Sequence, residues 1–292
     1  MQPSKTDVLR WEKRWATPAA VAALLAFALV IAAIIVATQA VGNGGGESEL
    51  LRRIDSHRTA QLATNILQAI AVALLAPPLY YLFRATRARS QKVRAQLVGL
   101  VVAAPLILGV AGVLNGLMTL EASHTFVTSH VPTLITRGAA LDSNRANEVA
   151  NNVISSASLR SVAGISGLIG AFGFLIAMAY TSLHAMRSGL LTRFWGSLGI
   201  ALGAISLLPF PPFYFLWFIY LGLLLLGKLP GGRPPAWAAG QAIPWPTPGE
   251  KAAAGLNPPT AGEEAEPAAL TNGAPSGAEG GREQRRKRKQ RE

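Results

Sequence analysis

Charge disappears from five stretches of the chain, Ala16–Gly46, Thr59–Phe83, Gln96–Leu120, Ser161–Met186 and Phe194–Gly227, and each is mostly apolar. A bilayer crossing needs about 20 mostly apolar residues in a helix, so the first four runs each suffice for one. The fifth is long for a single crossing, and Pro209, Pro211 and Pro212 interrupt it in the middle. The pattern predicts an all-α polytopic membrane helix bundle with six transmembrane helices, near residues 18–40, 62–83, 97–119, 162–183, 194–210 and 212–228.

The segments between the runs carry helix signals of their own. From Ser48 to Ala76 there is neither proline nor glycine. One continuous helix is expected to rise from the outer face and enter the bilayer, about 43 Å long at 1.5 Å per residue. Asp142–Ala163 also lacks a breaker, and Asp142 or Ser143 can cap its start. Val149, Val153 and Ile154, with Ala146 and Ala150, form an apolar stripe on that polar segment. The two segments either pack into a small extracytoplasmic cap or remain solvated loops. The expected divisions are residues 1–17 as a cytoplasmic segment, 18–230 as the membrane domain with outer loops at 41–61 and 120–161, and 231–292 as a disordered tail.

Charge sets the orientation. Lys5, Arg10, Lys13 and Arg14 fall on one side, with Arg84, Arg87, Arg89, Lys92 and Arg94, then Arg187 and Arg193, then Lys228 and Arg233. The other side carries Arg52, Arg53, Arg58, Arg137, Arg145 and Arg160, offset by Glu47, Glu49, Asp55, Glu121, Asp142 and Glu148. Lys and Arg near spans stay cytoplasmic, so both termini are expected in the cytoplasm of a cell whose plasma membrane holds the bundle. The net charge of +12 is thus distributed as topology requires, not as a nucleic-acid groove would. An apolar core from Pro18 to Val41 exceeds the roughly 7–15 residues of a signal-peptide core, so the first run is expected to be an uncleaved anchor.

Beyond Lys228, Leu229-Pro230-Gly231-Gly232-Arg233-Pro234-Pro235 ends helical structure, and Trp237 and Trp245 suit the headgroup region. From about Thr247 an Ala/Gly/Pro/Glu-rich tail has little to bury and is expected to be disordered. It ends in Arg282, Arg285, Arg286, Lys287, Arg288, Lys289 and Arg291 against Glu283 and Glu292, a net of about +5. Each such cation is worth about 1 kcal/mol near an anionic leaflet, so anionic lipid headgroups are one expected partner. RNA is the other, and a solvated tail that only reinforces topology is the plain alternative.

Candidate chemistry is sparse. Cysteine is absent, which removes disulfides and thiolates. No nucleophile elbow, P-loop or paired-carboxylate site is present. His57, His124 and His130 match no metal motif and read as surface histidines, so no cofactor or metal is expected. The spans lack interior Asp, Glu, Lys and Arg, which counts against an ion-coupled transporter. Their polar residues, Asn65, Gln68 and Asn115, suit interhelical hydrogen bonds. Gly112 and Gly116 form one GxxxG, Gly199 and Gly203 another, and Gly164, Gly167, Gly170 and Gly173 recur every third residue. Such small-residue faces let helices approach, within the bundle or between copies in a homo-oligomer. Pro77-Pro78 and Pro105 kink spans two and three. The expected function is non-enzymatic, that of a structural, accessory or interaction protein. The alternative is a transporter or channel-like protein for a small neutral or apolar solute.

One block is more distinctive: Leu190-Leu191-Thr192-Arg193-Phe194-Trp195-Gly196-Ser197-Leu198-Gly199, then Trp217-Phe218, then Gly227-Lys228-Leu229-Pro230-Gly231-Gly232-Arg233-Pro234-Pro235-Ala236-Trp237. Over residues 160–246 it resembles a group of uncharacterised multi-pass membrane proteins of high-G+C actinobacteria. The resemblance implies a bacterial plasma-membrane location and carries over no activity.

Overall fold

The computed structural model describes residues 4–42, 46–130, 143–208 and 213–246. The described residues up to Trp245 belong to one compact unit. The expected disordered tail from Thr247, the Pro209–Pro212 turn, Arg137 and Asp142 lie outside the described residues.

Every regular element among the described residues is helical. In chain order the α-helices are α1 (Lys5–Ala40), α2 (Glu47–Ser56), α3 (Arg58–Ala73), α4 (Ala76–Arg89), α5 (Val98–Thr125), α6 (Ser143–Ser156), α7 (Arg160–Arg187), α8 (Arg193–Ile205), α9 (Tyr214–Leu226) and α10 (Pro235–Ala239), with a 3-10 turn at Ala95–Leu97 and a π-turn at Phe126–His130 on either side of α5. Taken as passes, Lys5–Ala40, Arg58–Arg89, Ala95–Ser129 and Arg160–Arg187 are long and apolar enough to cross a membrane. Helices α8 and α9, of 13 residues each, are shorter apolar helices.

Helices α1 and α7 turn mostly small residues inward and carry large apolar ones on their exposed faces. The buried face of α1 is Ala16, Ala19, Ala20, Ala22, Ala23, Ala26 and Ala33, with Val8, Glu12 and Val30. Its exposed face carries Val21, Leu25, Ile31, Ile34 and Ile35. On α7, Val162, Ile165, Leu168, Ile169, Phe172 and Ile176 are about half exposed, while Gly170, Gly173 and Ala177 are buried. In water such contiguous apolar faces would demand cover. In lipid there is no hydrophobic drive to bury them, and close backbone approach through small residues supplies the association.

The continuous helix expected from Ser48 to Ala76 is broken twice. Proline has no N–H, and its ring clashes with the carbonyl four residues back. Pro77 and Pro78 therefore end α3 at Ala73, and the chain restarts as α4 with Pro77 in its first turn. The other break is at His57, whose backbone leaves the helical region at φ −122°, ψ 38°. Its cause is tertiary: α2 turns so that Leu51 and Ile54 reach the end of α5. The run Asp142–Ala163, expected without a breaker, is also divided, because α6 stops at Ser156 and α7 starts at Arg160.

These polar segments form a cap at one end of the bundle. Leu51, Ala122, Phe126, Ala150 and Val153 are buried together, with Val149 and Ile154 packed against them. Gly46, the residue before α2, has no side chain to cap the helix. Asn147 of α6 does so instead, its Oδ1 accepting from Ser48 N at 3.0 Å and from Ser48 Oγ at 2.9 Å. Ser158 Oγ donates to Glu121 at 2.8 Å, which ties the start of α7 to α5.

At the opposite end the chain stays folded past the expected boundary at residue 231. Gly227 (φ 70°) closes α9, with Lys228 N donating to Leu223 O at 3.0 Å. Arg233 then reaches back to the carbonyls of Leu224 and Leu225. Residues 231–245 find partners on the bundle that their own composition does not reveal.

Candidate functional site

The densest chemistry lies at that second end, where α1, α4 and residues 231–245 meet. Glu12 and Arg89 form an ion pair whose side chains are 6% and 0% exposed. The two terminal guanidinium nitrogens of Arg89, Nη1 and Nη2, both donate to the Glu12 carboxylate. Its remaining donors reach Ala85 O at 3.0 Å, Ala236 O at 3.1 Å and Trp237 O at 3.4 Å. Buried charges persist when both partners and the spare hydrogen-bonding positions are satisfied, as here. Arg89 thus joins three segments: its own helix, α1 and α10.

Aromatic rings continue the clasp. Trp11, Tyr81 and Trp237 stack in a column, with centroid separations of 5.1 and 6.1 Å. Tyr81 Oη donates to Glu12 O at 3.1 Å, and the Arg89 guanidinium lies 5.4 Å from the Trp237 ring centre. Trp237 Nε1 donates to Leu190 O and Trp245 Nε1 to Leu191 O, at 2.9 and 2.8 Å. Both carbonyls follow α7, in the turn where Gly189 takes φ 78° and a Cβ would run into Ile243 O. Trp195 stacks on Tyr220 with centroids 3.6 Å apart, and Trp217 Nε1 donates to Trp195 O at 2.9 Å. Trp217, Trp237 and Trp245 thus tie segments of the 190–245 block together through their indole N–H groups.

Sequence reasoning counted Arg89 only as a topology charge and passed over Glu12. The signal was present in that Glu12 is an acid among Lys5, Arg10, Lys13 and Arg14, one residue after a tryptophan. Its partner, 77 residues away, had no local trace.

Beside the clasp, a groove of about 580 Å³ runs between α1 and α4. Ala19, Ala22 and Ala76 make its floor, and Trp15, Pro18 and Pro77 its walls. Arg84 stands at its charged end, 4.3 Å from the centre of the Trp11 ring and donating to Tyr80 Oη at 3.2 Å.

The glycines divide by surroundings. A Cβ at Gly170 would meet Leu108 Cα at 2.8 Å, and one at Gly173 would meet Ala104 Cβ at 3.1 Å. One at Gly199 would meet Trp217 Cε2 at 3.0 Å, and one at Gly203 would meet Met178 Cβ at 3.3 Å. Gly116 makes room for the Asn65 amide, whereas Gly112, Gly164 and Gly167 have nothing within 4 Å. Asn65 is buried, and its Oδ1 accepts from Gln61 Nε2 of its own helix at 3.3 Å. Gln68 instead borders a cavity of about 210 Å³, with Ser206 and Tyr214 as its other polar neighbours.

His124 lies 3.6 Å from Asp55, His57 sits exposed at the helix break, and His130 ends the π-turn after α5. Among the described residues no three His, Cys, Asp or Glu side chains converge to hold a metal ion. The basic run Arg282–Arg291 lies outside the described residues. Compared with known proteins, the chain matches no family model, no curated protein and no solved structure.

Proposed function

We propose that the chain is an integral cell-membrane protein of six crossings, with both termini cytoplasmic, that acts as a structural, accessory or interaction protein rather than an enzyme. The observation that carries this reading is that four helices are long and apolar enough to cross a bilayer and carry Val, Leu, Ile and Phe on their exposed faces. The end bearing the clasp also holds Lys5, Arg10, Lys13, Arg14, Arg84, Arg87, Arg187 and Arg193, which supports placing it in the cytoplasm. Helices α8 and α9 supply the fifth and sixth crossings. Each covers about 20 Å at 1.5 Å per residue, against a hydrocarbon core of about 30 Å. The most elaborate polar cluster is spent on joining helices, with its donors and acceptors mutually satisfied, which favours a scaffold over a reaction centre.

The Gln68 cavity favours a second reading, a path for a small neutral solute. Vesicles reconstituted with the purified protein separate the two. Glycerol and urea permeability equal to that of protein-free vesicles is the expected result. A protein-dependent flux that Gln68→Leu abolishes would replace the scaffold with the solute path.

A further inference from the structure

We propose that the groove between α1 and α4 is a binding site for an anionic phospholipid, one acyl chain lying along the alanine floor and the phosphate held at Arg84. The proposal rests on the membrane-spanning reading above. The groove exists because its floor is small: leucine in place of Ala19, Ala22 or Ala76 would intrude on it. Pro18 and Pro77 add rigid walls without reaching across. From Trp11 to Ala22 the groove follows α1 for about 16 Å at 1.5 Å per residue, close to half of a hydrocarbon core about 30 Å thick. That is the depth of one leaflet, and the groove is open along its side to Trp15, Pro18 and Pro77, all exposed.

Its two ends differ in the way a phospholipid's do. The deep end is wholly apolar. At the shallow end Arg84 is exposed yet held in place, by the Trp11 face and by Tyr80 Oη, and no carboxylate pairs with it among the described residues. Arg14 lies 5.8 Å from the Trp15 ring centre, also without a carboxylate there. Two unneutralised guanidiniums thus stand on the two tryptophans that frame the mouth. Guanidinium is suited to phosphate by its planar fork of donors, and basic pockets between spans on the cytoplasmic side take anionic headgroups. Glu12, the nearest carboxylate in sequence, is already committed to Arg89.

The test uses the full chain in detergent micelles, titrated with phosphatidylglycerol or phosphatidylcholine brominated in mid-chain, a quencher of tryptophan fluorescence on contact. The share of quenching that Trp15→Phe removes reports the groove. Phosphatidylglycerol is expected to saturate that share at about fivefold lower mole fraction, the preference one cation gives near an anionic surface. Arg84→Gln, on an exposed side chain, is expected to erase the preference. Val102 of α5 also lines the groove, and Val102→Phe, which narrows it with Arg84 intact, is expected to erase the preference too. Preference that survives Val102→Phe would mean a surface charge without a groove, and equal quenching by both lipids in the parent would mean no headgroup site; either result overturns the proposal. Displacement of phosphatidylglycerol by millimolar inorganic phosphate would overturn it in favour of a free-anion site. Failure of both brominated lipids to quench any tryptophan would instead sink the membrane reading on which the proposal stands.

Discussion

Replacing Arg89 by alanine is expected to destabilise the bundle by about 3–5 kcal/mol, the loss typical when one partner of a buried ion pair is removed. The Glu12 carboxylate, 6% exposed, would be left without its cation, and the carbonyls of Ala236 and Trp237 would lose a donor. Glu12→Gln should cost less, about 1–3 kcal/mol, because an amide oxygen still accepts from the guanidinium. The measurement is thermal unfolding of the purified protein together with limited proteolysis. With Arg89→Ala, cleavage within residues 229–246 should precede loss of the bundle, since among the described residues the clasp is the one buried ion pair that holds this segment, alongside the two indole N–H bonds and the Ile243 N to Ser188 O bond. An unchanged cleavage pattern would mean that Trp237 and Trp245 suffice to hold it.

Gly170→Ala is expected to cost about 1–3 kcal/mol, and Gly167→Ala close to nothing. The two glycines are three residues apart on α7 and look alike in sequence. At Gly170 the added methyl meets the Leu108 backbone, Cα at 2.8 Å and N at 2.9 Å, so α5 and α7 must move apart along their contact. Backbone cannot rotate away as a side-chain tip can. At Gly167 nothing lies within 4 Å, and alanine is the better helix former. Unfolding midpoints in increasing denaturing detergent would separate the two. Equal losses would show that the glycine spacing matters for something other than the α5–α7 approach.

The parts legible in the sequence are those that a bilayer dictates over a local window. Four charge-free runs gave four helices of crossing length, because a membrane span needs its whole length apolar. The Val149, Val153 and Ile154 stripe marked the face of α6 that packs in the cap, since a 3.6-residue period is also local. What failed was non-local. The break at His57 follows from where Leu51 and Ile54 must go, and no residue near His57 announces it. Residues 231–245 look like the end of structure by their prolines and glycines, yet Trp237 and Trp245 donate to carbonyls about 50 residues earlier in the chain. The Glu12–Arg89 pair spans 77 residues, and the glycine pattern could not say which members meet a neighbouring backbone.

The central claim is a membrane bundle with the cap of α2 and α6 outside and the clasp inside. The chain has no cysteine, so single cysteines can be placed without background. Ser56→Cys and Ser155→Cys, on exposed cap positions, and Leu208→Cys, after α8, should react with a membrane-impermeant maleimide in intact cells. Ser4→Cys and Gln91→Cys, beside the clasp, should react only after permeabilisation. Protection of Leu208→Cys alone would remove the fifth and sixth crossings and leave four. Equal labelling of Ser56→Cys and Gln91→Cys in intact cells would contradict the account as a whole.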